Sequence, residues 1–123
     1  MSTNTRLYPR LIHLPQYIDS RGVLVFSECG GEIPFTINRV LWIMHAPKSC
    51  KRGGYAHKQC HQFIIPLAGS FDILINETTF HLNSSHIGLY IPPLNKITLS
   101  NFCKGTTALV LCSHKHSQLD III

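Results

Sequence analysis

An all-β domain, closed as a sandwich or a barrel, is what this sequence predicts, and three observations predict it. Short runs rich in branched and aromatic residues recur along the chain. Turn residues separate them at regular spacing, and no long segment carries a helical period. Taken in order, residues 23–26 lead into the Gly30-Gly31 turn, and 35–44 form a long apolar strand. Residues 61–67 end at Ala68-Gly69-Ser70. Residues 71–75 and 78–82 flank Asn76-Glu77 as a hairpin. Residues 88–91 meet Pro92-Pro93, and 96–99 and 107–112 complete the series. The last stretch, 118–123, reads equally as a helical turn or as one more strand.

Size and composition fit a single domain over 1–123. A chain of 123 residues has the length of one domain. Hydrophobic residues make up 45% and charged residues 14%, which supplies a core and excludes intrinsic disorder. A domain this small buries roughly two-thirds of its unfolded surface, so a second copy would add stability. No apolar run approaches the ~20 residues of a membrane helix. The N-terminal stretch, broken by Arg6, Pro9, Arg10 and Pro15, lacks a signal-peptide core. A cytoplasmic protein without a membrane partner is therefore expected. Five cysteines, an odd number with no CxxC pair, fit bystander thiols in a reducing compartment. The net charge of +5 is scattered, apart from Lys48, Lys51 and Arg52 ahead of Gly53-Gly54. No basic stripe or nucleic-acid module is visible, so nucleic acid is not the expected partner. Cations around a pocket suit an anionic small molecule.

The informative segment is 52–62, Arg-Gly-Gly-Tyr-Ala-His-Lys-Gln-Cys-His-Gln. Side chains alternate across a strand, which sets Tyr55, His57 and, if the strand runs on, His61 on one face. Ala56, Lys58 and Cys60 take the other. Inside a small barrel, a phenol beside an imidazole gives two groups able to exchange protons at one substrate. A lone strand histidine is more often a hydrogen-bonded structural residue. Its company distinguishes His57: an Arg-Gly-Gly turn before it, Tyr55 at the alternate position, a Gly69-Ser70 turn after it. His13, His45, His81, His86, His114 and His116 read as structural or surface residues, and Trp42 and Tyr90 as core or pocket-wall aromatics.

Laid on these residues, the segment resembles the first cupin motif. Tyr55 takes the place of its first histidine, His57 the second, Gln62 the glutamate and Gly69 the glycine. Residues 92–101 resemble the second motif, with Ile97 in place of the histidine and Asn101 matching. Three of four ligand positions are then non-ligands or poor ligands, and one histidine is not a metal site. More specifically, the chain is similar to the metal-free cupin nucleotide-sugar 3,4-ketoisomerases (WxcM-like), which act on dTDP-4-oxo-6-deoxyglucose. The similarity runs in order through Asp19-Ser20-Arg21-Gly22, Ile33-Pro34-Phe35, Arg39-Val40, residues 52–58, Gly69-Ser70, residues 88–93, Phe102 and residues 109–113. It covers about 14–120.

The resemblance implies a cupin fold, a jelly-roll (RmlC-like) antiparallel β-barrel, without metal or other cofactor. It implies conversion of a dTDP-4-oxo-6-deoxyhexose to its 3-oxo isomer. It also implies a homodimer in which residues 1–18 form a strand-exchange arm. Tyr55 replaces the family's first histidine, Lys96 an aromatic residue, and the acidic, tyrosine-rich tail is reduced to His114, His116 and Asp120. In such a reaction a base removes the proton from C3, an enediol forms, and a proton returns at C4. Histidine side chains titrate near pH ~6.5, so a neutral imidazole accepts protons at neutral pH, which points to His57. Tyr55 would shuttle the hydroxyl proton between O3 and O4, or orient the ring. Arg21, Arg39, Arg52 and Lys96 are candidates for the diphosphate and the enediolate, because guanidinium forks suit phosphate. Gln62 completes the substrate-binding candidates. The missing histidine also sustains an alternative, a non-catalytic cupin that binds a sugar nucleotide or carbohydrate.

Overall fold

The structure, a computed structural model, describes residues 8–123. Its strands are β1 (Arg10–His13), β2 (Gln16–Asp19), β3 (Gly22–Val25), β4 (Arg39–Met44), β5 (Arg52–His57) and β6 (Gln62–Ala68). There follow β7 (Phe71–Ile75), β8 (Thr78–Leu82), β9 (Ile87–Ile91), β10 (Ile97–Ser100), β11 (Thr107–Cys112) and β12 (Ile121–Ile122). A 3-10 turn at Gln118–Asp120 precedes β12.

Ten strands form two five-stranded antiparallel sheets, ordered β1-β9-β6-β11-β4 and β12-β5-β10-β7-β8, while β2 and β3 make a separate hairpin. Period-two alternation decides what each strand buries. In β7, Phe71, Ile73 and Ile75 point inward while Asp72 and Leu74 point out. Asn76 and Glu77 turn β7 into β8 with φ of 49° and 71°, the left-handed pair that a two-residue hairpin requires. Ile64, Leu89, Ala108 and Val110 of the first sheet meet Phe71, Ile73, Leu82 and Leu99 of the second in the main core. A second cluster lies on the outer face of the first sheet. There Phe63, Ile65, Tyr90 and Leu111 are covered by Leu14, Ile33, Phe35 and Ile37. Gly88 makes room for the Phe63 ring, which a Cβ at that position would overlap.

The expected jelly roll is thus present as two facing sheets, and among the described residues no strand pairing links one sheet to the other. The strand expected over 35–44 begins only at Arg39, because Phe35 and Ile37 serve in the covering layer. Trp42, expected as a core or pocket-wall aromatic, is 59% exposed on the outward face of β4, whereas Tyr90 is buried. Both readings of the C-terminus hold at once, since the 3-10 turn leads directly into β12. Of the expected arm, residues 1–7 lie outside the described residues; β1 adds to β9 of the same chain.

Candidate active site

Between the sheets lies a cavity of about 380 Å³, within the ~300–1,000 Å³ typical of small-molecule sites. One wall is β5 and β10, with Gly53, Tyr55, His57, Ile97 and Leu99. The facing wall comes from β4, β6 and β11, with Arg39, Leu41, Ile43, Gln62, Ile64 and Val110. Cys50, Lys51, Arg52 and the exposed His116 complete the lining.

The Gly53-Gly54 pair sets the aim of the first wall. Against β10, Tyr55 pairs with Ile97 but Gly53 pairs with Thr98, so Gly54 is the extra residue of a bulge. Both glycines take positive φ, 95° and 88°. A Cβ on Gly53 would lie 2.7 Å from the Ile97 carbonyl oxygen, so only glycine fits. Beyond the bulge the strand resumes, and Tyr55 and His57 reach the same cavity with ring centroids 5.6 Å apart, nearly edge-on at 73°.

His57 is held from behind. Its Nδ1 lies 3.1 Å from Asp120 Oδ2, which leaves Nε2 as the nitrogen available to a ligand. The Asp120 carboxylate also accepts from the backbone N–H of Gln59 at 2.8 Å and of Cys60 at 3.3 Å. The backbone closes the clasp: Lys58 N–H donates to the Asp120 carbonyl at 2.7 Å, and β12 pairs Ile121 with His57. Burial pushes the Asp120 carboxyl up, but the Gln59 and Cys60 donors and His57 outweigh it and hold the group below the ordinary carboxylate range. A carboxylate so held stays ionised and favours the proton on Nδ1.

The structure therefore brings together Tyr55, His57, Arg39, Arg52 and Gln62. It does not bring in Arg21 or Lys96. Arg21 caps the β2–β3 hairpin, paired at 2.6 Å with Asp19 on the surface. Lys96 is exposed beside the lining residue Ile97. His61 parts from Tyr55 and His57, because β5 ends at His57 and 58–61 cross to the other sheet. Its Nδ1 lies 2.7 Å from the Tyr90 hydroxyl, its ring stacks on Tyr90, and burial pushes its pKa down. Two residues of the site are not legible in the sequence, His116 in the lining and Asp120 behind His57. The sequence alone places His116 at the surface and gives Asp120, the only acid after Glu77, no role in the site. Among the described residues no group of three or more His, Cys, Asp or Glu is placed to hold a metal ion.

A jelly roll that carries a phenol and a carboxylate-backed imidazole on one inner strand is a cupin equipped for acid–base work on a small molecule. The family model described as "FdtA: WxcM-like, C-terminal" matches residues 8–123, and the chain belongs to that family. It is 32% identical over 117 residues to a TDP-4-oxo-6-deoxy-alpha-D-glucose-3,4-oxoisomerase of Aneurinibacillus thermoaerophilus, covering 92% of this chain and 84% of the relative. Among solved structures it is similar to the sugar 3,4-ketoisomerase QdtA of Thermoanaerobacterium thermosaccharolyticum in complex with TDP. That match has TM-score 0.89 and 36% identity, over 93% of this chain and 86% of that one. The TDP-quinovose 3,4-ketoisomerase WlaRB of Campylobacter jejuni matches with TM-score 0.88 and 34% identity, over 93% of this chain and 91% of that one.

Proposed function

We propose that this protein is a sugar-nucleotide 3,4-ketoisomerase that converts a dTDP-4-oxo-6-deoxyhexose to its 3-oxo isomer. The observation that carries the assignment is the pair His57–Asp120 with Tyr55 at its side, inside a cavity edged by Arg39, Lys51 and Arg52. The C4 ketone acidifies the proton at C3. His57 Nε2 takes that proton while Asp120 steadies the imidazolium through Nδ1. Negative charge then spreads over the O3–O4 edge, where Arg39 supplies a fixed positive charge from the facing wall. The Tyr55 phenol hands its proton to O4 and receives the one leaving O3. His57 returns its proton to C4, and the net change is the position of the carbonyl. In this reading Arg52 and Lys51 bind the diphosphate, with Lys96 as a further cation beside the cavity, and Gln62 binds a sugar hydroxyl. TDP in the QdtA structure supports the nucleotide.

A homodimer belongs to the proposal. On the β2–β3 hairpin, Tyr17, Ile18, Val23 and Leu24 are all at least 59% exposed, an apolar surface that a second copy would cover. Arg21, remote from its own cavity, serves as a binding residue only through that contact. The five cysteines are free thiols, the pattern of a reducing compartment, which supports the cytoplasm.

Proton NMR of the protein with dTDP-4-oxo-6-deoxyglucose in deuterium oxide tests the activity. Exchange at C3 and a growing 3-oxo product are expected, and His57→Asn abolishes both while nucleotide affinity persists. Saturable binding without exchange by the wild type would establish the binding cupin instead. Near-full activity of His57→Asn would displace His57 as the base.

A further inference from the structure

Residues 113–120 carry the chain from β11 in one sheet to β12 in the other, past the cavity. Both ends of this crossover are fixed. At its start the Ser113 N–H donates to the His61 carbonyl at 3.0 Å, and the Asn38 side-chain amide donates to the Ser113 carbonyl at 2.9 Å. At its finish the Asp120 N–H donates to the Ser117 carbonyl at 3.1 Å, and the Asp120 carboxylate is clasped behind His57. Between these anchors the side chains divide. His114, Lys115 and Ser117 line a separate recess with Lys58 and Gln59. Only His116, of residues 113–117, lines the cavity. Among the described residues its imidazole makes no hydrogen bond or ion pair, and no Asp or Glu stands in the cavity lining to engage it.

We propose that His116 is a further substrate-binding residue, which donates an imidazole N–H to the C4 carbonyl oxygen of the hexose. The inference rests on the ketoisomerase reading of the site. Register decides which end of the cavity His116 occupies. Cys112, where the crossover begins, stands opposite Arg39 and Gln62, and Ile121, where it finishes, stands opposite His57. Arg52 opens β5 and His57 closes it, a span of roughly 15 Å, so Lys51 and Arg52 lie at the far end. With the diphosphate held there, C1 of the hexose faces Lys51 and Arg52. C4 stands across the ring from C1 and faces the end that His57 and His116 share. An imidazole carries at least one N–H in either protonation state, and a carbonyl oxygen has two lone pairs. O4 therefore accepts one hydrogen bond from Tyr55 and one from His116. The nucleotide alone has no O4, so His116 adds affinity for the 4-oxo sugar and none for the nucleotide.

The test compares two ligands by calorimetric titration of the His57→Asn protein, in which the sugar is not consumed. Adding His116→Ala should weaken binding of dTDP-4-oxo-6-deoxyglucose about 3- to 10-fold, the scale of one neutral hydrogen bond, and leave dTDP affinity within twofold. Adding His116→Gln instead, which keeps an N–H donor, should recover part of the loss. With His57 present, His116→Ala should lower kcat/KM for 3-oxo product formation. Equal weakening of both ligands would overturn the inference by placing His116 at the nucleotide, and unchanged affinity for both would return it to the surface. Either result leaves the ketoisomerase in place. Absence of any 3-oxo product from the wild type would overturn the function itself, and with it the C4 carbonyl as the partner of His116.

Discussion

Replacing Asp120 by asparagine removes a charge without removing bulk, and its effect follows from the geometry. The carboxylate accepts from Gln59 and Cys60 and backs His57 at 3.1 Å, yet Asp120 does not line the cavity. Asp120 is a positioning residue, acting on substrate only through the imidazole. Hydrogen bonds to charged groups contribute about 1.5–3 kcal/mol. A loss of that size in the transition state, at ~1.4 kcal/mol per decade, lowers kcat by roughly 10- to 150-fold. KM should stay near the wild-type value, because no direct substrate contact is lost. Initial rates of 3-oxo product formation measure both constants, and a thermal melt confirms that the variant is folded at the assay temperature. A fold-related loss alone would lower the active fraction in step with the melt. An Asp120→Asn variant with kcat within twofold of wild type would refute the assignment of Asp120 as the group that orients His57.

Three further outcomes follow from the same geometry. Tyr55→Phe should lower kcat by about 100-fold at little cost in KM, the scale of one lost acid–base group; unchanged kinetics would reduce Tyr55 to packing. His61, half-buried against Tyr90 and Phe35, has its folded pKa lowered by that burial, so the unfolded chain binds more protons in that range. Stability is then full above the unfolded histidine value near ~6.5 and falls as pH drops through it. Melting temperature should decline from neutral to mildly acidic pH, and His61→Gln should flatten that decline; an equal decline in the variant would place the effect elsewhere. Sedimentation at micromolar concentration should show a dimer that Leu24→Asp shifts toward monomer, and a stable wild-type monomer would remove the hairpin as an interface.

What the sequence showed, and what it hid, divides along the range of the forces involved. The β7–β8 hairpin and β11 are legible because alternation and turn chemistry are local. Tyr55 and His57 are legible as a pair because both lie within one strand. The same rule does not reach His61, since period two holds only while the strand does, and it stops at His57. The run at 35–44 looks like one strand in the sequence because residues covering a sheet share the composition of residues inside it. Alternation put Trp42 on the outer face of β4, where its composition says nothing of direction. Asp120 was out of reach. It stands 63 residues from His57, and only the pairing of β12 with β5 brings the two together.

The most direct test of the account is a structure of the His57→Asn variant with dTDP-4-oxo-6-deoxyglucose bound. The sugar should fill the cavity with its C3 within about 3.5 Å of the place the wild-type imidazole Nε2 occupies, a distance that allows proton transfer. A hexose lying outside the cavity, or turned so that C3 presents its hydrogen to the Arg39–Gln62 wall, would contradict it.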